Sequence, residues 1–315
     1  MRQVIRMQIQ NTDKVPAADR SYEVCALYQV RELTVNLLYQ MHYLVKDVQR
    51  HRGISMGLLA GNRVLEGDLS ELQCQIARRL EVIHAFAGMT DGVFNQRDRD
   101  SVQFAWGTIR DNWQDDKLSE NFELHSYFIE QLFHVSSMLA KSIEVPMLNS
   151  LDECMGGDAF SVGEVSRHTK QVELVSFACV ALPTMIETIA KIRGLASFSA
   201  AVGRAEYEHD RKLRFLLQCA REQNEMIHQR AQRLHEVLKG DFNIKYVIGE
   251  LEIKFVHLMA LVDKDVLSGK AIHSSSSQLF GLATSIVDRY WGIVDDGLGI
   301  LRRWQIDDVE SWISG

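Results

Sequence analysis

A chain of 315 residues with 35 Lys and Arg against 42 Asp and Glu carries a formal charge of −7, which excludes the basic electrostatic footprint of a nucleic-acid-binding module. Only 3 prolines, in a sequence rich in Leu, Ala, Glu, Gln and Arg, exclude a strand-rich fold and predict an all-α protein. The basic pairs Arg78-Arg79 and Arg302-Arg303 sit among acidic residues and read as solvated helix faces.

Residues 1–20 read as a polar tail without the apolar segment of a signal peptide. A long helix, uninterrupted by proline, is expected from about Tyr22 to Gly61. Further helices follow over Glu66–Ala87, Arg97–Gln114 and Ser119–Ile143, so that residues 21–145 make a first four-helix bundle. Pro146 and the stretch MLNSLDECMGGDAFSVGE mark a linker over 146–168. The second half repeats the scheme. A helix is expected over Thr169–Val202, kinked or adjusted at Pro183, and another over Glu206–Leu238, closed by Gly240. The third, Phe242–Leu267, carries the core stripe Ile244, Val247, Leu251, Phe255, Leu258 and Val262 and ends at Gly269. Ser275 and Gln278 form a capping box for the last, Leu279–Leu301. Residues 169–305 thus form a second bundle and 306–315 a C-terminal tail. The predicted fold is all-α, two tandem four-helix up-and-down bundles related by an internal repeat.

The longest apolar run, Leu174 to Ile186, is flanked by Glu173 and Glu187 and is too short to span a bilayer, so no membrane segment is expected. Cys25, Cys74, Cys154, Cys179 and Cys219 are odd in number and contain no CxxC pair. Free thiols in a reducing compartment, and hence a cytoplasmic protein, follow from that usage.

Two arginine-glycine pairs, Arg52-Gly53 and Arg193-Gly194, align without a gap at an offset of 141 residues. Leu33 then matches Leu174, Met41 matches Leu182, Val45 matches Ile186, Val48 matches Ile189, and Arg63 matches Arg204. Met41, Val45, Val48, Arg52, Ser55 and Leu59 recur at the spacing of one helical face, and Leu182, Ile186, Ile189, Arg193, Ala196 and Ala200 form its counterpart. Each arginine therefore falls where a buried residue is expected. A buried guanidinium needs an anionic partner, and its planar fork suits a trigonal oxyanion. The glycines, continued by Gly57 and Gly61, bring a neighbouring helix close. An internal carboxylate would serve a single such arginine equally well, but the duplication favours an anion shared between two helices. Ser55 lies on the same face, and Arg50, one step off it, is the substitute if the helix phase is shifted.

Arg52-Gly53-Ile54-Ser55 within QRHRGISMGLLAG, and Arg193-Gly194-Leu195 within IAKIRGLASFSAAVG, resemble the nitrate- and nitrite-sensing (NIT) domain. The resemblance spans about residues 25–305. It implies an all-helical protein of two four-helix bundles, in which the arginine of each motif contacts the anion. Arg52 and Arg193, with Gly53, Gly194, Ser55 and Arg50 around them, are then the ligand-binding residues for nitrate or nitrite, and no cofactor or catalytic residue is implied. Antiterminators of the family continue into an RNA-binding ANTAR domain, for which the ten or so residues after Trp304 leave no room. Family members with flanking transmembrane helices differ in that respect as well. The expectation is a stand-alone sensor that contacts neither nucleic acid nor membrane and reports through a regulatory protein partner. Its long amphipathic helices suit a homodimer as readily as a monomer. Two like charges facing across an empty pocket would hold the halves apart until the anion binds.

Glu81-His84, Glu206-His209 and Glu225-His228 have the Glu-x-x-His spacing of di-iron bundles. Two share a predicted helix and the third lies in the other half, which argues against a metal site. His42 and His51 flank the first stripe and read as partly buried helix residues. The five tryptophans, Trp106, Trp113, Trp291, Trp304 and Trp312, read as core anchors, with the last two candidates for a partner surface. An interaction scaffold, with each arginine in an internal salt bridge, is the alternative to a sensor.

Overall fold

The computed structural model describes residues 17–63, 66–88, 94–147, 162–204, 207–238 and 244–314. The tail before Ala17, Cys154 with most of the expected linker, and Gly240 lie outside the described residues. Within them the protein is all-helical. Helix α1 is Ala17–Leu59, α2 Glu66–Ala87, α3 Gln96–Asn112 and α4 Leu118–Ser142. Helix α5 comprises Val162–Ser176 and Leu182–Val202, joined by a π-helical turn at Phe177–Ala181. Helix α6 is Tyr207–Leu238, α7 is Ile244–Leu261 continued by a π-helical turn at Val262–Val266, and α8 is Ser276–Ser314.

Local chemistry sets these boundaries. The Asn95 side chain accepts the Asp98 amide at the start of α3, and the Ser275 hydroxyl accepts the Gln278 amide at 3.1 Å ahead of α8. Gly61 and Gly203 follow the two arginine-bearing helices with φ of 92° and 78°, a left-handed conformation that a side chain resists. Pro183 has no amide proton, and its ring collides with the carbonyl four residues back. The adjustment expected there is the π-helical turn just before it, where the Leu182 amide bonds Phe177 O, five residues away.

Three expected boundaries are corrected. Helix α1 begins at Ala17, inside the supposed tail 1–20, and α5 begins at Val162, inside the supposed linker 146–168. The segment 306–315 is not a tail, because α8 continues to Ser314. Its last turns have work for their side chains. Asp308 accepts from Arg167 at 3.0 Å and from the Met147 amide at 3.0 Å, while Val309 and Trp312 pack on Val24 and Met147 with Leu27 and Tyr28.

Helix α1 packs on α2 and α4, and α5 packs on α6 and α8, while α1 also touches both α5 and α8. One continuous apolar core joins the two halves. Helices α1 and α8 run antiparallel, with contacts from Val24 to Gly53 on the one and from Trp312 back to Phe280 on the other. Gly53 meets Phe280, Lys46 pairs with Asp288 at 3.3 Å, the Tyr39 hydroxyl donates to Asp295 O at 3.1 Å, and Arg302 pairs with Glu32. Arg167–Val202 is long and apolar enough by length and composition to cross a membrane, contrary to the reading of its apolar run as too short. Of its most apolar window, 67% is buried inside the molecule, as in a core helix wrapped by neighbours.

Candidate functional site

The two stripes face inward as their spacing requires. Met41, Val45, Val48, Arg52 and Ser55 are buried, as are Leu182, Ile186, Ile189, Arg193 and Ala196, while Leu59 and Ala200 at the helix ends are half-buried. Arg52 is 1% exposed and Arg193 5%. Their surroundings differ.

Arg52 already has an anion. Its Nη1 donates to Glu187 Oε1 at 2.6 Å and Ser126 Oγ at 3.0 Å, and its Nη2 donates to Glu187 Oε2 at 3.0 Å. The Gln49 side-chain amide donates to the same carboxylate at 2.8 Å. A bidentate pair of this kind satisfies both charges in the interior. The expected picture of two bare arginines repelling each other is corrected accordingly, and for Arg52 the internal salt bridge is what forms.

Arg193 has no carboxylate within ion-pair distance among the described residues. Its Nη1 donates to Thr284 Oγ1 at 3.0 Å and its Nη2 to the Gln49 carbonyl at 3.2 Å, while Nε has no partner. The Phe280 ring lies under it, 4.8 Å from the guanidinium carbon. Burial, and then the charge of Arg52, lower its pKa to about 10. Beside it lies a cavity of about 310 Å³ between α1, α5 and α8, to which Lys46, Arg50, Thr284 and Asp288 contribute.

The gapless alignment of the two motifs locates the difference in one pair of residues. At the offset relating Arg52 to Arg193, Glu187 corresponds to Lys46. From α5, Glu187 neutralises the arginine of α1. From α1, the equivalent residue brings a second cation to the cavity of Arg193. Asp288 faces Lys46 there and Asp47 also lines the cavity, but among the described residues no acid lies within ion-pair distance of the guanidinium. Gln49 joins the two centres, with its side chain on Glu187 and its carbonyl under Arg193.

The remaining expected site residues fall as follows. Arg50 is exposed, as its phase requires, and lines the Arg193 cavity from the solvent side. Ser55 donates to Asn121 Oδ1 at 2.9 Å and so ties α1 to α4 rather than facing a ligand. A Cβ on Gly53 would lie 3.1 Å from the Phe280 ring, and one on Gly194 would lie 3.2 Å from Met56 Sδ, so both glycines serve close helix approach. Glu187 was not singled out in the sequence, although its helical position beside Ile186 and one turn before Lys191 marks it as partly inward.

A second buried network adjoins Arg52. His125 Nδ1 lies 2.7 Å from the Asn121 carbonyl, which fixes it as a donor and leaves Nε2 as an acceptor. His51 Nδ1 therefore donates to His125 Nε2 at 2.7 Å, and His51 Nε2 accepts from the Gln73 amide at 3.1 Å. Burial holds both rings neutral, pushing His51 down to about 3 and His125 well below the ordinary value of 6.5. His42, against Trp291, is lowered to about 4 by burial alone. His228 meets Glu252 of α7 at 2.8 Å, and no group of three potential metal ligands occurs among the described residues. Comparison with family models, with curated proteins and with solved structures finds no match to this chain.

Proposed function

We propose that the protein is a sensor of small planar oxyanions, nitrate or nitrite, bound beside Arg193. The observation that carries this is a buried guanidinium with an unpartnered Nε, next to a cavity, where the repeat supplies Lys46 in place of an acid. A trigonal oxyanion in that cavity supplies the missing negative charge, and its planar oxygens suit a guanidinium fork that turns to meet them. The resemblance of both motifs to the NIT domain supports the same reading.

On this reading α1–α4 and α5–α8 are two four-helix bundles, with α1 and α5 in equivalent places. Arg52 and Glu187 act as a fixed internal pair that positions Gln49, and the anion binds on the Arg193 side of it. The bound ion ties α1, α5 and α8 together at one point, and a regulatory protein partner in the cytoplasm reads the change. An interaction scaffold is the second reading, favoured by the Arg52–Glu187 salt bridge.

Calorimetric titration with nitrate and nitrite in chloride-free buffer separates the two. Saturable binding that disappears in Arg193→Gln supports the sensor, whereas absence of both heat and thermal stabilisation leaves the scaffold. Arg52→Ala is a poor probe by itself, since stranding Glu187 costs about 3–5 kcal/mol of stability.

A further inference from the structure

Helix α7 is apolar on two opposite faces. Ile244, Ile248, Leu251, Phe255, Leu258 and Met259 are buried, where the helix packs on α6 and α8. On the far side Tyr246, Gly249, Ile253 and Val256 are exposed and recur at intervals of three and four residues, the spacing of a seam between two packed helices. Tyr246 is 68% exposed, Ile253 76% and Val256 54%. A helix with apolar residues all round is one that neighbours cover all round. Propensity does not account for the seam, since β-branched Ile253 and Val256 are poorer helix formers than the Lys, Glu or Gln that suit an open face.

The charges beside the seam indicate what covers it. On one flank Glu252 is held by Asn224 and His228, and Asp263 by Arg221. On the other, Glu250, Lys254 and His257 are exposed and have no ion-pair partner among the described residues. A two-fold axis across the seam would set this second flank against itself with its direction reversed. Glu250 of one copy then meets Lys254 of the other, and the reverse, so that each pair forms twice. The dipoles of the two helices also oppose in that arrangement. An anionic lipid surface would call instead for a run of Lys and Arg.

We propose that α7 is the interface of a homodimer. It packs antiparallel on α7 of a second copy through Tyr246, Ile253 and Val256, with Glu250 and Lys254 paired across the seam. The inference stands apart from the nitrate reading, because no residue of α7 lines the Arg193 cavity. The dimer forms with or without the anion.

Light scattering and sedimentation equilibrium on the whole chain, over about 1–100 μM, test it. The expected mass is twice that of the chain. Ile253→Glu should weaken association about a hundredfold and keep the parent's helix content, since the position is exposed. Phe104→Glu, at an aromatic residue of α3 that is 78% exposed, should leave the dimer intact. Glu250→Lys should weaken it about tenfold, and adding Lys254→Glu should restore it, because the swapped pair is again opposite in charge. A single-copy mass at the highest concentration would assign the seam to another partner and overturn the proposal. A dimer that survives Ile253→Glu, an equal loss in Phe104→Glu, or a charge swap that restores nothing would overturn it as well.

Discussion

Glu187 and Lys46 match at the 141-residue offset that aligns the two arginine motifs, and they carry opposite charge beside arginine centres that are unequal. Arg52 is complete, whereas Arg193 is a buried cation short of an anion. Restoring the symmetry is therefore informative. Lys46→Glu places a carboxylate at the position that matches Glu187 in the aligned motifs, and on the proposed reading it should raise the melting temperature without anion while removing stabilisation by nitrate. A variant that keeps its full nitrate response would separate the site from Arg193. The buried histidines make a second residue-scale prediction. His42 takes up protons at about 4 when folded, against 6.5 when unfolded. Its contribution is present above pH 6.5 and is lost as the pH falls from there towards 4. At pH 5 the loss is about 2 kcal/mol. His42→Phe, which keeps a ring against Trp291, should hold its stability from pH 7 to 5 better than the parent by that amount in denaturant melts.

At the scale of helices, glycines on α8 separate packing from propensity. A Cβ on Gly297 would lie 2.8 Å from Ala178 Cβ in the π-helical turn of α5, with no flexible chain to move aside. Gly297→Ala should destabilise by about 1–3 kcal/mol despite the better helix former. Gly292 has nothing within 4 Å of such an atom, and Gly292→Ala should stabilise by about 0.5–1 kcal/mol. Opposite signs in urea melts are the expected result, and equal signs would contradict the packing described for α8. Most helices were legible in the sequence because apolar residues recur every three to four positions. The final turns of α8 were not, because Gln305 and Asp308 fill buried positions there, and periodicity of apolar residues does not register a buried acid held by Arg167 and the Met147 amide. The site was half legible for a similar reason. Both arginines followed from the stripe, but Glu187 reads as the polar flank of an apolar run until α1 is placed against α5.

For the molecule as a whole, the antiparallel course of α1 and α8 matters most. From Gly53 and Phe280 beside the cavity, the contacts run through Lys46 and Asp288, Tyr39 and Asp295, and Glu32 and Arg302 to the cluster around Val24, Val309 and Trp312. At 1.5 Å per residue, the stretch from Val24 to Gly53 is about 40 Å long. On the proposed reading, two stiff rods of that length would act as a push-rod: a slip of an ångström between them beside Arg193 would be delivered almost undiminished at the far end. Spin labels at the exposed Tyr22 and Ile313 would report it as a change in their separation when nitrate is added, and a fixed separation would show that the rods are locked. On the proposed sensor reading, a reader protein gripping that far pole would have no need to touch the bound ion.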